Sequence, residues 1–188
     1  MKKRIITISG LPGSGKSSTA RGLAQALLWQ HFSSGDVMRQ MAERCGLSIE
    51  EMNAAAEKNI SIDHEIDAAI RKMGQEEHIV IDSRTAYHWI PESFKVFLKI
   101  DPTVATERTF AHIQSSGRLR ENADSIEEVR ENMQKRTESE KKRYARLYHI
   151  DYTDESQYDL VVDTAVHSLH EVIALIREHY AMWEKKED

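Results

Sequence analysis

Several residue types are scarce in this chain of 188 residues, and each scarcity excludes a class of protein. Cysteine occurs once, as Cys45, so no intrachain disulfide can form. We therefore expect a reduced, cytoplasmic setting, with Cys45 buried or half-buried as a small structural residue. No apolar run reaches the length of a membrane helix, and the run behind the basic opening stops at Ser9-Gly10, too soon for a secretory signal.

An excess of positive charge is also absent. Lysine and arginine total 26 against 31 for aspartate and glutamate, which gives a net charge of −5 at pH 7. A mildly acidic chain lacks the broad attraction to polyanions that nucleic-acid binding uses, so we expect no nucleic-acid partner, and no membrane or protein partner is evident. The prolines are few and isolated, and there is no repeat and no Pro/Gly/Ser-rich linker, so the sequence predicts a single domain.

Against these absences stands one complete motif, the segment GLPGSGKS at residues 10–17. It fits the pattern G-x-x-x-x-G-K-[ST], follows a β-branched run over 4–9 and precedes a helical pattern over 16–28. Glycines allow the sharp turn that converges backbone N–H groups on phosphate oxygens, and the helix adds the positive end of its dipole. The motif predicts an ATP site formed by Gly10, Gly13, Ser14, Gly15, Lys16, Ser17 and Ser18.

Two residues of the motif and two later acids have candidate roles in phosphoryl chemistry. Lys16 is placed to reach the β- and γ-phosphates, and the Ser17 hydroxyl suits a Mg²⁺ ion that keeps most of its waters. Asp82 ends an apolar run, where it either orients a magnesium water or caps the next segment. Asp36 is either a proton acceptor or a helix cap. The histidines show no zinc spacing, so we expect no structural metal.

Strand and helix patterns alternate along the chain, which predicts an α/β fold with a five-stranded parallel sheet between helical layers, the three-layer P-loop NTPase fold. The predicted strands are 4–9, 29–33, 78–82, 95–100 and 159–163. The predicted helices after the first are near 35–44, 48–58, 62–73, 125–148 and 168–183. We expect a core at about 1–34, 76–110 and 155–188, a substrate-binding insertion at about 35–75, and a short lid with its helices at about 111–150.

Arginines follow two of the predicted strands and occupy one face of a long charged helix. Arg39 lies just beyond the second strand and Arg84 just beyond the third, so both should open on the edge of the sheet that holds the phosphate loop. Arg136, Glu140 and Arg143 have the spacing i, i+4, i+7, which puts them on one helix face. These residues either close over a nucleotide or form ordinary surface ion pairs.

Other polar and aromatic residues predict nothing catalytic. We interpret the cluster His64-Glu65 with Asp67 as solvated helix surface, although its place in the insertion makes a substrate contact conceivable. The larger aromatic residues are expected to pack rather than to stack on a ligand. These aromatic residues are Trp29, Trp89, Trp183, Tyr144 and Tyr148.

The order of these segments resembles that of the nucleoside monophosphate kinases, and among them the cytidylate kinases of the compact archaeal type. The resemblance covers most of the chain. Its pieces are the phosphate loop at 10–17, Ser34-Gly35-Asp36 with Arg39, Asp82-Ser83-Arg84, the helix segment 136–144, and the strand segment 158–164. The family pattern has glycine where this chain has Ser83, which puts the preference for cytosine in doubt while leaving phosphoryl transfer intact.

The resemblance implies roles for individual residues. Arg39 and Arg136 would hold the acceptor monophosphate, Arg84 would help to read the cytosine edge, and Glu140 with Arg143 would contact the sugar side, with Asp36 nearby. Lys16, Arg136 and Arg39 would be catalytic, and Ser17 with Asp82 would hold the metal. Arg118 or Arg120 would act as a lid arginine or lie in an exposed loop.

The function expected from the sequence is the transfer of a phosphoryl group from magnesium ATP to CMP or dCMP. Two alternatives remain at this point. One is a kinase for another monophosphate, such as AMP or UMP, or for a small metabolite. The other is a binding or assembly factor in which ATP closes the lid without useful transfer.

Overall fold

The computed structural model describes residues 2–116 and 125–185 of the chain. Its centre is a sheet of five parallel strands in the order β2-β3-β1-β4-β5. This arrangement confirms the predicted α/β fold, and the predicted strand positions agree closely with the observed ones. The strands are β1 (Ile5–Gly10), β2 (Gln30–Ser33), β3 (Ile79–Asp82), β4 (Phe94–Lys99) and β5 (Leu160–Asp163).

Helices cover both faces of the sheet and extend beyond it. In the described ranges they are α1 (Lys16–Leu27), α2 (Ser34–Cys45), α3 (Ile49–Lys58), α4 (Ile60–Met73), α5 (Ala86–Trp89), α6 (Pro102–Ser116), α7 (Ile126–Tyr148) and α8 (Leu169–Lys185). The start of α4 differs from the prediction because Asn59, rather than a later residue, caps the helix and accepts a hydrogen bond from Ser61 N at 3.1 Å. The short α5 had no periodic pattern long enough to predict it.

The side chains of the central strands point alternately to the two faces of the sheet, so the core consists of two apolar layers. Ile5, Ile79 and Ile81 face the cluster beneath α2, α4 and α5. Ile6 and Val80 face the opposite cluster, beneath α1 and α8. Because successive side chains of a strand point to opposite faces, these β-branched runs bury both sides of the sheet and require helices on each.

The structure can be compared with the expectations for two tryptophans and for Cys45. Trp29 and Trp183 pack beside Tyr180 and Phe94, as expected of structural aromatic residues. Cys45 is exposed, which corrects the expectation of a buried or half-buried thiol. The buried face of α2 ends at Ala42, so the last turn of the helix extends past the core. Within residues 2–116 and 125–185, no helix is both long and apolar enough to cross a membrane.

The parallel strands bring the phosphate loop and two other loops to one edge of the sheet. Gly10 at the end of β1 is in register with Leu98, and Ser33 at the end of β2 is in register with Asp82. Loops that leave the carboxyl ends of parallel strands meet at the same edge. This edge therefore carries the candidate site.

Candidate active site

The phosphate loop joins β1 to α1 in a backbone conformation that requires glycine. Gly13 and Gly15 have φ angles of 77° and 76°, in the left-handed region. A Cβ atom on Gly13 would lie 2.9 Å from the Ala105 carbonyl oxygen. Gly15 is the N-cap of α1 and no side chain caps the helix there. The first N–H groups of α1 are thus left for an anion, which is the geometry a phosphate needs.

Lys16, Ser17 and Asp82 form a compact network beneath this loop. Lys16 Nζ lies 2.6 Å from Asp82 Oδ1, and the Ser17 hydroxyl donates to Asp82 Oδ2 at 2.6 Å. Ser33 donates to the same oxygen at 3.2 Å. Burial alone would raise the pKa of Asp82, but Lys16 and the Ser17 hydrogen bond outweigh it and hold the pKa below its usual value. Asp82 is therefore a buried carboxylate that stays ionised at neutral pH.

The same network suits a magnesium ion by its chemistry. A serine hydroxyl and a carboxylate provide hard oxygen ligands, and Mg²⁺ binds such oxygens while keeping several waters. The described hydrogen bonds of the Asp82 carboxylate go to Lys16, Ser17 and Ser33, and none goes to the backbone of the segment after β3, where a cap would bind. No group of three or more His, Cys, Asp or Glu residues that could hold a metal occurs among the residues described.

Glu140 on α7 holds two arginines, Arg84 from the segment after β3 and Arg136 from α7 itself. Its side chain is 3% exposed; Oε2 lies 2.7 Å from Arg84 Nε, and Oε1 accepts a hydrogen bond from Arg136 Nε at 3.0 Å. The Arg84 contact is a close ion pair whose angle leaves Nε without a hydrogen bond. Burial would raise the pKa of Glu140, but the charges of Arg84 and Arg136 lower it overall. This cluster is not the solvated surface face that helical spacing alone also allowed.

Arg143 leaves the same helix face and reaches the insertion. Its Nε lies 3.3 Å from Asp63 Oδ2 on α4, and its Nη1 donates to the Asn53 carbonyl oxygen at 3.4 Å. Both members of the ion pair are nearly fully buried. Burial raises the pKa of Asp63 to about 6, against the opposing effect of Arg143. Sequence reasoning missed Asp63, although an acid beside the apolar positions Ile62 and Ile66 was a usable signal.

Arg39 and Asp36 lie on α2 at the opening of the cleft. Arg39 Nη2 donates to Asp36 Oδ1 at 2.5 Å, and both side chains are about half exposed. The N-cap position of α2 is occupied by Ser33, so the interpretation of Asp36 as a helix cap is wrong. Ser83 is buried and its hydroxyl accepts a hydrogen bond from Thr85 N at 3.2 Å. The side chain that replaces the family's glycine is thus bonded within its own loop.

The cluster His64-Glu65 with Asp67 is only partly the solvated surface that the sequence predicted. Glu65 is exposed and forms a surface pair with Arg44. Asp67, by contrast, is 5% exposed and accepts hydrogen bonds from Trp89 Nε1 at 2.9 Å and from the Tyr148 hydroxyl at 2.5 Å. A polar residue next to an apolar stripe was misassigned because its two partners lie far away along the chain.

These groups converge on one cleft of about 990 Å³. Its walls are the phosphate loop, the insertion helices α2, α3 and α4, the end of β3 and the inner face of α7. Arg118 and Arg120, named from the sequence as lid arginines, lie outside the described residues. The other predicted site residues line the cleft, except Gly10 and Asp36, which adjoin lining residues: Gly13, Ser14, Gly15, Lys16, Ser17, Ser18, Arg39, Asp82, Arg84, Arg136, Glu140 and Arg143.

Comparison with known proteins places this geometry in a family. The model of the cytidylate kinase-like family matches residues 5–166. A cytidylate kinase of Methanopyrus kandleri is 36% identical over 92% of this chain and 91% of its own, and one of Methanothrix thermoacetophila is 39% identical over 85% and 88%. An S-adenosylmethionine-dependent nucleotide dehydratase of Lacinutrix mariniflava is 33% identical over 95% of this chain, which corresponds to 36% of that longer protein.

Solved structures show the same fold at low sequence identity. Shikimate kinase from Acinetobacter baumannii superposes with a TM-score of 0.63 at 12% identity, covering 98% of this chain and 96% of that chain. At that identity the likeness concerns the fold alone. The family match, the extent of the archaeal relatives and the intact phosphate loop agree. The chain therefore belongs to the cytidylate kinase-like family of nucleoside monophosphate kinases, which are phosphotransferases.

Proposed function

We propose that the protein transfers the γ-phosphoryl group of magnesium ATP to CMP or dCMP, giving ADP and the nucleoside diphosphate. The observation that carries the proposal is the arrangement of cations in the cleft. Lys16 lies at the phosphate loop, Arg84 follows β3, and Arg136 and Arg143 come from α7, and all four line the cleft. Two nucleotides bring many negative charges together, and phosphoryl transfer depends on positioning them and neutralising their charge.

The donor would bind at the phosphate loop. Backbone N–H groups around Gly13 and Gly15 would hold the phosphates of ATP, and Lys16 would turn from Asp82 toward the β- and γ-oxygens. Ser17 and Asp82 would hold Mg²⁺, which would supply positive charge to offset that of the phosphates. The low pKa of Asp82 supports this role, because the carboxylate needs no deprotonation before it binds a metal.

The acceptor would bind between α2, α4 and α7. We propose that Arg39 and Arg136 hold its monophosphate, and that Glu140 and Arg143 lie on the sugar side. Burial is the main reason that the pKa of Lys16 is lowered, and the charges of Arg84 and Arg136 lower it further. Arg84 follows β3 and is held by Glu140, and we propose that it helps to read the cytosine edge, the role implied by the family resemblance. Asp36 lies beside Arg39 and orients it.

The positions of these residues suggest a role for each segment of the chain. We propose that 35–75 acts as the acceptor-binding insertion and that the region of about 111–150 acts as the lid, with the remainder as the core. Closure of these parts would exclude water that otherwise hydrolyses ATP. We place the reaction in the cytoplasm, since an exposed, unpaired Cys45 fits a reducing compartment.

Base selectivity rests on the relatives rather than on one contact. The archaeal relatives named cytidylate kinase match most of this chain, which supports cytosine nucleotides. Ser83 is bonded to Thr85 N in its own loop. This hydrogen bond holds the side chain that replaces the family's glycine within its own loop.

The proposal is tested by measuring ADP formation from magnesium ATP with CMP, dCMP, UMP, dUMP and AMP offered separately. Lys16→Ala serves as the blank. Preferential turnover of CMP and dCMP is expected. Turnover of another monophosphate in their place would overturn the cytosine assignment while retaining phosphoryl transfer, and ADP formation that no acceptor stimulates would favour an ATP-switched binding factor.

A further inference from the structure

Two side-chain contacts among the described residues join α4 of the insertion to the long helix α7. The first is the ion pair of Asp63 with Arg143, at 3.3 Å. The second lies one helical turn further along α4, where Asp67 Oδ2 accepts a hydrogen bond from the Tyr148 hydroxyl at 2.5 Å. Asp63 and Asp67 have the spacing i, i+4 and therefore face the same side of α4. Two acids one turn apart on α4 thus bind residues in the last two turns of α7.

A third element reinforces the second contact. Trp89 at the end of α5 donates from Nε1 to Asp67 Oδ1 at 2.9 Å, so both carboxylate oxygens have a donor. The Trp89 ring meets the Tyr148 ring edge to face, with centroids 5.2 Å apart. The Arg71 guanidinium lies 3.8 Å from the centroid of the Trp89 ring. Asp67 is therefore the point where α4, α5 and α7 meet.

Asp67, Tyr148 and Trp89 form a junction between α4, α5 and α7, and they differ in their access to the cleft. Asp67 lines the cleft, whereas Tyr148 and Trp89 are absent from its walls. Asp67 is 5% exposed, and its two neutral donors fix the orientation of the carboxylate. Burial and the hydrogen bond to Asp67 raise the pKa of Tyr148, so the hydroxyl remains a donor throughout the neutral range.

We infer that Asp67 is a positioning residue for the acceptor side of the cleft, acting with Tyr148 and Trp89 to lock the end of α7 against α4 so that Arg143 faces the acceptor. This inference rests on the proposed function, since it assigns the residue an effect on acceptor binding. Arg143 and Arg146 of α7 also donate hydrogen bonds to the carbonyl oxygens of Asn53 and Glu57 on α3. The contact of Tyr148 with Asp67 lies beyond these and fixes the last turn of α7 against α4. The arginines of α7 would then approach the acceptor in one geometry, which reduces the ordering required on binding.

The first test is a set of steady-state kinetic measurements on Tyr148→Phe, Trp89→Phe and Asp67→Asn. Tyr148→Phe and Trp89→Phe remove hydrogen-bond donors that do not line the cleft. We expect each to raise the KM for the acceptor about fivefold to tenfold, while kcat and the KM for ATP change less than about twofold. The double variant Tyr148→Phe/Asp67→Asn should raise the acceptor KM no more than the larger single change, because both substitutions break the same contact.

A matched control comes from α8. The Tyr180 hydroxyl also makes a hydrogen bond to a carboxylate, that of Glu184, at 3.4 Å, away from the cleft. Tyr180→Phe should leave both KM values unchanged. If Asp67→Asn raises the acceptor KM while Tyr148→Phe and Trp89→Phe do not, Asp67 touches the acceptor directly and the inference is overturned. Equal changes in kcat and both KM values, accompanied by a lower Tm, would show that these contacts only stabilise the fold. That result would also overturn the inference.

The second test needs no turnover and separates this inference from the proposed function. Hydrogen exchange is measured on the free wild-type protein and on Tyr148→Phe. We expect faster exchange confined to α4 and the last turns of α7, with α1 and α8 unchanged. Unchanged exchange in α4 and α7 would overturn the inference whatever the enzyme phosphorylates. Absence of acceptor-dependent turnover in the wild type, with the expected exchange pattern, would instead overturn the proposed function.

Discussion

Three buried carboxylates organise the cations of the cleft at the scale of single residues. Asp82 holds Lys16, Glu140 holds Arg84 and Arg136, and Asp63 holds Arg143. Burial opposes ionisation in each case, but only Asp63 has a pKa raised overall. The direction of each pKa shift follows the partners at contact distance. Glu140 has two arginines and Asp82 has a lysine with hydroxyl donors, whereas Asp63 has one arginine at contact distance and the like charge of Asp67 nearby, so burial outweighs its cations.

The Arg136→Ala substitution tests the acceptor role of α7. Arg136 is 41% exposed, so its loss leaves the packing of α7 largely intact, and Glu140 keeps its contact with Arg84. If Arg136 contacts the transferring group, kcat/KM for the acceptor should fall on the order of 10²-fold or more, by analogy with arginines that stabilise the charge of phosphoryl transfer. Steady-state kinetics with the acceptor varied measure this change.

Arg44→Ala is the control for this substitution. Arg44 forms an exposed ion pair with Glu65, with side chains 67% and 53% exposed, and such pairs contribute little. Its kinetics should match those of the wild type. If kcat and KM are also unchanged in Arg136→Ala, Arg136 is an ordinary surface charge and its acceptor role is contradicted.

The raised pKa of Asp63 predicts a pH dependence of stability. The native pKa is about 6, against 3.8 for the ordinary carboxyl, so between these values the native state binds more protons than the unfolded state. The free energy of unfolding therefore falls as pH rises from about 4 to about 6, by roughly 3 kcal/mol at most for a shift of about 2 units. The charged groups facing Asp63 are Arg143 and Arg146 on α7 and Asp67 and His64 on α4.

Asp63→Asn removes this titration and is the variant to compare. Urea unfolding at several pH values gives the free energy of unfolding of both proteins. The difference in the free energy of unfolding between wild type and variant should change between pH 4 and pH 6 and then level off. His64 and the other groups titrate in both proteins, so their effects cancel in this difference. A difference that is constant with pH would contradict a raised pKa at Asp63.

At the scale of elements, the phosphate loop depends on the packing of its backbone against α6. A Cβ atom on Gly13 would lie 2.9 Å from Ala105 Cβ and from its carbonyl oxygen, and φ is positive. Gly13→Ala should therefore displace the loop and raise the KM for ATP at least about tenfold, beyond the ~1–2 kcal/mol cost of the left-handed conformation itself. ATP kinetics and the ATP-dependent rise in Tm measure the effect.

Gly46→Ala provides the matched control. Gly46 also has a positive φ, 69°, but a Cβ atom there would meet nothing within 4 Å. The substitution should lower the Tm through strain at the end of α2 and leave the KM for ATP unchanged. An equal rise in the KM for ATP in both variants would show that the contact with α6 is not what shapes the loop.

Elements were predictable from sequence where a strong local pattern specified them. The β-branched run before Gly10 and the capping pattern that begins at Ser125 lie where the strand β1 and the helix α7 form. The short helix containing Trp89 was missed, since four residues carry no periodicity. The exposure of Cys45 was also missed, because a helix pattern does not reveal how far its last turn extends beyond the core.

At the scale of the whole molecule, the cleft is assembled from segments that are distant in the chain. The sequence located Arg84 and Arg136 by their positions after a strand and on a helix face, so their meeting could be anticipated. It did not reveal that Asp63 and Asp67 bind residues 143 and 148 of α7, since no local pattern pairs α4 with that helix. Buried long-range pairs depend on the packing of the insertion, which only the three-dimensional structure gives.

The central claim is transfer of the γ-phosphoryl group to a cytosine monophosphate, and following that group tests it most directly. ATP labelled at the γ-phosphate is incubated with Mg²⁺ and CMP, and the labelled products are separated. The account predicts label in CDP, with little in inorganic phosphate and none in either product for Lys16→Ala. Label that accumulates in inorganic phosphate at a rate indifferent to CMP would contradict it.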